Sequence, residues 1–313
     1  FMDPTRPAKA KPELLLQSIE KFGVNTVFGS PALLRVLATH TKLHAVRLDG
    51  IKRIISAGAA VPIEVMRMLE PALPESARIH TPYGATECLP VASICNHEIS
   101  PELEQRTGQG EGICVGQPVT PNRVGIIAIS DEAHPALDPE QFLQTGNTGE
   151  IVVHGPTTTD QYWQREEQTR LAKCIDAEGK TWHRMGDIGF FDEAGRLWYC
   201  GRKSQRVVTR EQTLFTDQLE AVFNTHPEVS RTALVGVDHA GAKKPVLCVE
   251  LLGKVSRSGR ARIREELKNM AANNPRTQLI NTFLFHPAFP VDIRHNAKIG
   301  REKLAQWARK KIS

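Results

Sequence analysis

His80-Thr81-Pro82-Tyr83-Gly84-Ala85-Thr86-Glu87 brings an aromatic ring, a glycine, a hydroxyl and a carboxylate together within one short turn of chain. These are the groups a nucleotide site needs. An aromatic face stacks on a base, glycine lets backbone approach a phosphate, a threonine hydroxyl donates to a phosphate oxygen, and a glutamate holds Mg²⁺ through oxygen. The plain alternative is a strand ending in a polar turn, with Tyr83 half-buried and Glu87 in solvent.

Around this stretch, residues 14–22 repeat apolar side chains at helical spacing and end at Gly23, a residue suited to a helix C-cap. Residues 24–28 form a strand candidate, Pro31 opens a second helix, and residues 52–56 form a second strand. Helix and strand alternating through short connections predict an α/β layer with parallel pairing. Beyond Glu87 the chain turns to β structure: residues 125–130, residues 149–155 and a hairpin over 182–202 that turns at Asp192-Glu193-Ala194-Gly195. These read as a barrel-like β subdomain completing a larger domain, residues 1–200. Residues 201–206 make a boundary. After it a strand (207–209), a helix (217–224), strands 232–237 and 246–252, a helix (260–272) and a last helix (301–311) make a small α+β module. We find no internal repeat in the sequence.

The length, 313 residues with 40% hydrophobic content, suffices for two domains and excludes disorder for most of the chain. No apolar run approaches the ~20 residues of a membrane span and no signal peptide precedes the first polar segment, so the expected location is cytoplasmic. The six cysteines, at 88, 95, 114, 174, 200 and 248, lack metal spacing and read as reduced thiols. Residues 1–200 carry 19 Lys+Arg against 25 Asp+Glu, a net of −6, whereas residues 201–313 carry 21 against 10, a net of +11. Basic residues spread through structured elements with few interleaved aromatics fit a cover over a polyphosphate better than nucleic acid binding.

Four further stretches accompany the opening one: Ile54-Ile55-Ser56-Ala57-Gly58-Ala59-Ala60-Val61-Pro62; Arg184-Met185-Gly186-Asp187; Trp198-Tyr199-Cys200-Gly201-Arg202; and Asn296-Ala297-Lys298-Ile299-Gly300-Arg301. In this order the five resemble the later core motifs of the adenylate-forming superfamily of acyl-CoA synthetases, nonribosomal adenylation domains and luciferases. The resemblance implies an acyl-CoA synthetase-like fold: α/β with a β-barrel-like subdomain, plus a small α+β C-terminal lid domain. Residues 207–313 would be the mobile lid, pivoting at 201–206 on Ser204 and Gln205. It also implies roles. Gly58, Ala59 and Ala60 meet the adenine edge, Tyr83 stacks on adenine beside Gly84, Thr86 touches the α-phosphate, and Glu87 holds Mg²⁺ bridging the phosphates. Asp187 accepts both ribose hydroxyls; Tyr199, twelve positions on, packs on the adenosine, and Arg202, fifteen on, reaches the ribose. Lys298 is the catalytic candidate, its ammonium neutralising charge that develops at the α-phosphorus. Each has a plainer reading as well, Asp187 as a turn residue and Lys298 as a solvated lysine before a helix.

The sequence departs from the superfamily pattern in three places. The Ser/Thr/Gly-rich phosphate loop is absent, so the chain reads as the C-terminal part of a longer protein. Glu211 stands where thioester-forming members carry the glycine that lines the pantetheine passage, so no CoA is expected beside ATP and Mg²⁺. Ala297 replaces a common glycine. The wording of Phe28-Gly29-Ser30-Pro31-Ala32-Leu33-Leu34, Tyr83 to Pro90 and Asp292 to Lys298 resembles most the β-lactone-forming branch of bacterial long-chain olefin biosynthesis. That resemblance implies adenylation of a 2-alkyl-3-hydroxy fatty acid whose own hydroxyl displaces AMP, with other enzymes of that pathway as candidate partners in a complex. The competing readings are a long-chain acyl-CoA or acyl-AMP ligase and, in another class, a non-catalytic nucleotide-binding module.

Overall fold

The computed structural model describes residues 10–58, 61–239, 241–291 and 299–312. Proline at its first turn starts α1 (Pro12–Lys21), and Gly23, at φ +56°, turns the chain out of it. β1 (Thr26–Gly29) leads into α2 (Pro31–His44), whose N-cap Ser30 hydroxyl accepts from the Leu33 amide at 3.3 Å. β2 (Arg53–Ser56), α3 (Ile63–Leu69) and β3 (Arg78–Ala85) follow, and β1, β2 and β3 pair in parallel as the alternating pattern predicts. Leu34, Leu37 and Ala38 of α2 and Val65, Met66 and Leu69 of α3 bury against Ile54 and Ile79 of the strands. Each of the larger side chains contributes about 1.5–3 kcal/mol by leaving water.

Next come β4 (Cys88–Cys95), α4 (Pro101–Gly108), β5 (Ile113–Pro118), β6 (Arg123–Ile127), β7 (Ala136–Leu137), β8 (Gly149–His154), α5 (Glu166–Ala172), β9 (Lys173–Asp176), β10 (Thr181–Phe191) and β11 (Leu197–Arg202). One ladder runs β1-β2-β3-β4-β5-β11-β10-β8-β6, with β9 on β10 and β7 on β9. It changes from parallel to antiparallel at β3 and β4. His80 to Ala85 are therefore strand and not turn; only Thr86 and Glu87 make the turn into β4. Gly84 is required there, since a Cβ would lie 2.6 Å from the Cys88 carbonyl oxygen.

One side-chain-capped turn is used at both ends of β10. Asp176-Ala177-Glu178-Gly179-Lys180-Thr181-Trp182 and Asp192-Glu193-Ala194-Gly195-Arg196-Leu197-Trp198 make the same turn at the two ends of β10. In each the aspartate takes two backbone amides on Oδ1, at 2.9–3.0 Å, and the tryptophan indole on Oδ2, at 2.9 Å in the first and 2.8 Å in the second. In each a glycine sits at positive φ, +76° and +73°.

After a single 3₁₀ turn (Lys203–Gln205) come β12 (Val207–Val208), β13 (Thr213–Leu214), α6 (Thr216–Asn224), β14 (Val229–His239), β15 (Ala242–Leu251), α7 (Arg257–Asn273), β16 (Phe283–Phe285) and α8 (Arg301–Ile312). β14, β15 and β16 form a three-stranded sheet. Strand alternation sends Leu234, Leu247 and Val249 to α6 and α7, and Ala233, Val235, Val246 and Cys248 to α8. All six cysteines are free. Among the described residues no helix is long and apolar enough to cross a membrane.

Candidate functional site

Ligands of open α/β sheets bind at the carboxyl ends of the parallel strands. Here those ends carry Ser56-Ala57-Gly58 after β2 and the turn Thr86-Glu87 after β3. Gly58 is at φ +93°, with open space where a Cβ would be. Ala59 and Ala60 lie outside the described residues. The Ser56 hydroxyl is buried at the end of β2 without a hydrogen-bond partner among the described residues; it lies within the motif at residues 54–62 but has no role assigned from sequence.

Tyr83, Asp187, Tyr199 and Arg202 converge although 104 residues separate the first two: the Tyr83 hydroxyl donates to Asp187 Oδ2 at 2.7 Å. Asp187 and Arg202 are cross-strand partners in the β10–β11 hairpin, and Arg202 Nη1 lies 3.0 Å from Asp187 Oδ1. The fifteen-residue spacing noted in the sequence is the register of that hairpin. β10 slips its pairing with β8 between Arg184 and Ile188, where Gly186 has φ +63°, and that bulge aims Asp187 out of the regular ladder. The Tyr83 and Tyr199 rings lie 5.9 Å apart at 45°. Arg202 also donates to the Met185 carbonyl at 3.3 Å and stays half in solvent. Asp187 is 2% exposed, and burial pushes its carboxyl up to about 6 against the opposing pull of Arg202 and of the Tyr83 hydroxyl. Asp187 Oδ1 is buried and meets Arg202 as an ion pair without an aligned hydrogen bond from the described residues, so it keeps acceptor capacity for a ligand hydroxyl. Burial, then the charge of Asp187, raises the Tyr83 phenol well above its usual value and keeps it a neutral donor.

Thr86 is exposed and Glu87 half-buried. The Tyr162 hydroxyl donates to Glu87 Oε1 at 2.7 Å. Burial works to raise the Glu87 carboxyl, but this hydrogen bond and its backbone contact, helped by the Lys173 charge, outweigh burial and lower it. An ionised oxygen donor fits Mg²⁺, which keeps several waters and takes one or two carboxylates beside substrate phosphates. Lys173 and His183 are cross-strand neighbours in β9 and β10. Burial, helped by Lys173, pulls the His183 imidazole down to about 4, so it is neutral at physiological pH. Burial likewise lowers the Lys173 ammonium, against the charges of Glu87 and Asp160. Tyr162, Lys173 and His183 were missed in the sequence because no motif frames them.

Arg202 ends β11, and the next residue, Lys203, opens the 3₁₀ turn with its ammonium 2.9 Å from Glu150 Oε1 and 2.7 Å from the Ser130 carbonyl. Arg184 holds the other side of Glu150, at 2.6 Å. Ser204 is exposed, whereas the Gln205 side chain accepts from Arg301 Nε at 2.9 Å. Arg301 also grips the buried Glu220 of α6 with both terminal nitrogens. Lys298 lies outside the described residues, flanked by the Val291–Ile299 bridge and by Arg301. Glu211 is a solvated carboxylate at the tip of the β12–β13 hairpin. Elsewhere His226, Glu228 and Glu266 cluster, but Arg262 bridges both carboxylates and supplies the cation.

Three comparisons bear on this geometry. The AMP-binding enzyme family matches residues 1–163. The chain is 51% identical over 311 residues to an olefin beta-lactone synthetase of Xanthomonas campestris pv. campestris, and 52% identical over 311 residues to one of Stenotrophomonas maltophilia; each match covers 98% of this chain and 55% of the relative. The chain thus spans about half the length of the curated relatives it matches. Among solved structures, the amide bond synthetase McbA from Marinactinospora thermotolerans superposes with a TM-score of 0.76 at 22% identity, over 95% of this chain and 55% of that one. The O-succinylbenzoate coenzyme A synthetase of Bacillus subtilis, solved with ATP and magnesium, gives 0.69 at 21% identity, over 94% and 54%. These two likenesses carry the fold, α/β with a small C-terminal α+β region. With the family match extending over more than half of its length, this chain belongs to the AMP-binding enzymes, the adenylate-forming family.

Proposed function

We propose that the chain is the C-terminal part of an ATP-dependent β-lactone synthetase. The observation that carries this reading is identity of about half over nearly the whole chain to two proteins of that name. The substrate is then a 2-alkyl-3-hydroxy fatty acid. Its carboxylate oxygen attacks the α-phosphorus of ATP and pyrophosphate leaves; the 3-hydroxyl oxygen then attacks the acyl carbon, AMP leaves and the hydroxyl proton passes to solvent. Intramolecular attack draws on effective molarity, which ring strain partly offsets.

In this reading Asp187 takes the ribose hydroxyls on the oxygen that Tyr83 leaves open, Tyr83 and Tyr199 flank the adenosine, Arg202 reaches the ribose and Thr86 the α-phosphate. Glu87 holds Mg²⁺, whose charge would offset that of the phosphates. Gly58, with Ala59 and Ala60, borders the adenine edge. Residues 207–313 act as a lid turning at 201–206, with Ser204 and Gln205 as the pivot and Lys298 as the catalytic cation. CoA takes no part, which suits a glutamate at 211.

The test uses the full-length protein with ATP, Mg²⁺ and a racemic 2-alkyl-3-hydroxy acid, with and without CoA, and identifies products by mass spectrometry and proton NMR. A lactone formed without CoA, with AMP released, supports the proposal. A CoA thioester, forming equally from acids without the hydroxyl, replaces it with an acyl-CoA ligase. Lys298→Ala is expected to abolish adenylate formation, read as pyrophosphate exchange, while ATP still binds by calorimetry.

A further inference from the structure

Residues 157–162 lie as a strap along Glu87 and Cys88. The Thr157 and Thr158 hydroxyls contact Cys88 Sγ at 3.4 and 3.3 Å, and the Thr159 amide donates to the Glu87 carbonyl at 2.9 Å. The Tyr162 hydroxyl closes the strap on Glu87 Oε1 at 2.7 Å. Lys173, in β9, secures it from behind: its ammonium donates to the Thr159 carbonyl and, at 3.1 Å, to the Thr159 hydroxyl. The same ammonium lies 5.8 Å from the centre of the Tyr162 ring. Lys173 is 7% exposed, and its hydrogen bonds among the described residues go to neutral oxygens of the strap. No side chain among the described residues donates to Glu87 Oε2. One carboxylate oxygen is thus fixed and the other left open.

We propose that Tyr162 and Lys173 are positioning residues for the cation that Glu87 binds. Tyr162 orients the carboxylate so that Oε2 faces the metal and phosphates, and Lys173 holds the strap that carries Tyr162. The inference rests on the reading of Glu87 as the Mg²⁺ ligand. Hydrogen-bond partners of ligating carboxylates typically govern metal affinity by 10–100-fold.

The experiment measures binding of α,β-methylene-ATP to the full-length protein by calorimetry, in Mg²⁺ and in EDTA. Tyr162→Phe should weaken binding in Mg²⁺ about tenfold and leave binding in EDTA unchanged. Lys173→Met should act in the same direction, and Lys173→Arg should restore part of the loss. Glu87→Gln separates the two hypotheses. If it removes the Mg²⁺ dependence while Tyr162→Phe keeps the wild-type value, the positioning role is overturned and the metal reading stands. If Glu87→Gln keeps the Mg²⁺ dependence, the metal reading fails and the positioning role falls with it. A Tyr162→Phe loss that is equal with and without Mg²⁺ reports a structural contact and also overturns the proposal.

Discussion

Asp187 serves two opposed demands. The ribose role needs it ionised, while burial holds its carboxyl at about 6. Because the folded value lies above the ordinary 3.8, its favourable contribution is complete below 3.8 and is lost as pH rises through 6. Asn at this position does not titrate. The stability difference between Asp187→Asn and wild type should therefore shift toward the variant by about 1–3 kcal/mol between pH 4 and pH 7, measured by urea unfolding at several pH values. Unfolding free energies that run parallel across this range would mean that Asp187 is not desolvated as the fold implies. The variant should also bind AMP more weakly at pH 7, and wild-type affinity should itself fall below pH 6 as the acceptor protonates. The Asp187–Arg202 pairing was legible through the family resemblance, whose fifteen-residue spacing is the register of the β10–β11 hairpin. The Tyr83–Asp187 contact was legible only as two roles at one ligand, since nothing local reports an approach across 104 residues. The Tyr162–Glu87 contact was not legible at all.

Most elements followed from local rules. The capped helices, the parallel layer and the long hairpin stand where glycines, prolines and periodicity put them, within two or three residues. Short elements such as β7, β13 and β16 were invisible, because two or three residues carry no period. The motif around Tyr83 was misread as a turn since its polar and glycine content outweighs strand propensity, whereas pairing with β2 and β4 decides the outcome. The repeated aspartate–tryptophan turns are a further case in which side-chain capping, not pattern, defines the element. Asp176→Ala, which loses three hydrogen bonds, should lower the thermal midpoint by about 5 °C, and Asp192→Ala, which loses two more to Arg196 and Arg106, should lower it by at least as much; each leaves an indole N–H without its partner. β10 spans 11 residues, so about 35 Å of extended strand separates the turns. The double variant should then lose the sum of the two shifts, and a smaller loss would show that the turns act through a shared unfolding step.

At the scale of the molecule, the charge partition read from the sequence has a structural counterpart in how the two parts meet. Polar contacts cross from the acidic part to the basic one: Gln218 donates to the Glu111 carbonyl at 3.2 Å and Asn274 to the Gln109 carbonyl at 2.9 Å. Arg206 pairs with Asp131, and Lys203 joins Arg184 on Glu150. Polar contacts of this kind exchange readily for water, as the proposed turning of residues 207–313 at 201–206 would require. Within the basic part the opposite holds. Arg301 and the buried Glu220 form a two-pronged pair that ties α8 to α6, with burial lifting the Glu220 carboxyl to about 7 and Arg301 opposing it. Lys203 is then the contact that sets how tightly the connector is held. Its removal leaves the buried Glu150 with Arg184 as its remaining cation and costs one charge-assisted hydrogen bond. Lys203→Met should therefore speed trypsin cleavage after Arg202 and Arg206 about tenfold, equivalent to about 1.4 kcal/mol of local opening, with the global thermal midpoint nearly unchanged. Cleavage at the wild-type rate would place the resistance of the connector in the packing of α6 against β11, where a Cβ on Gly201 would lie 2.9 Å from the Thr216 hydroxyl.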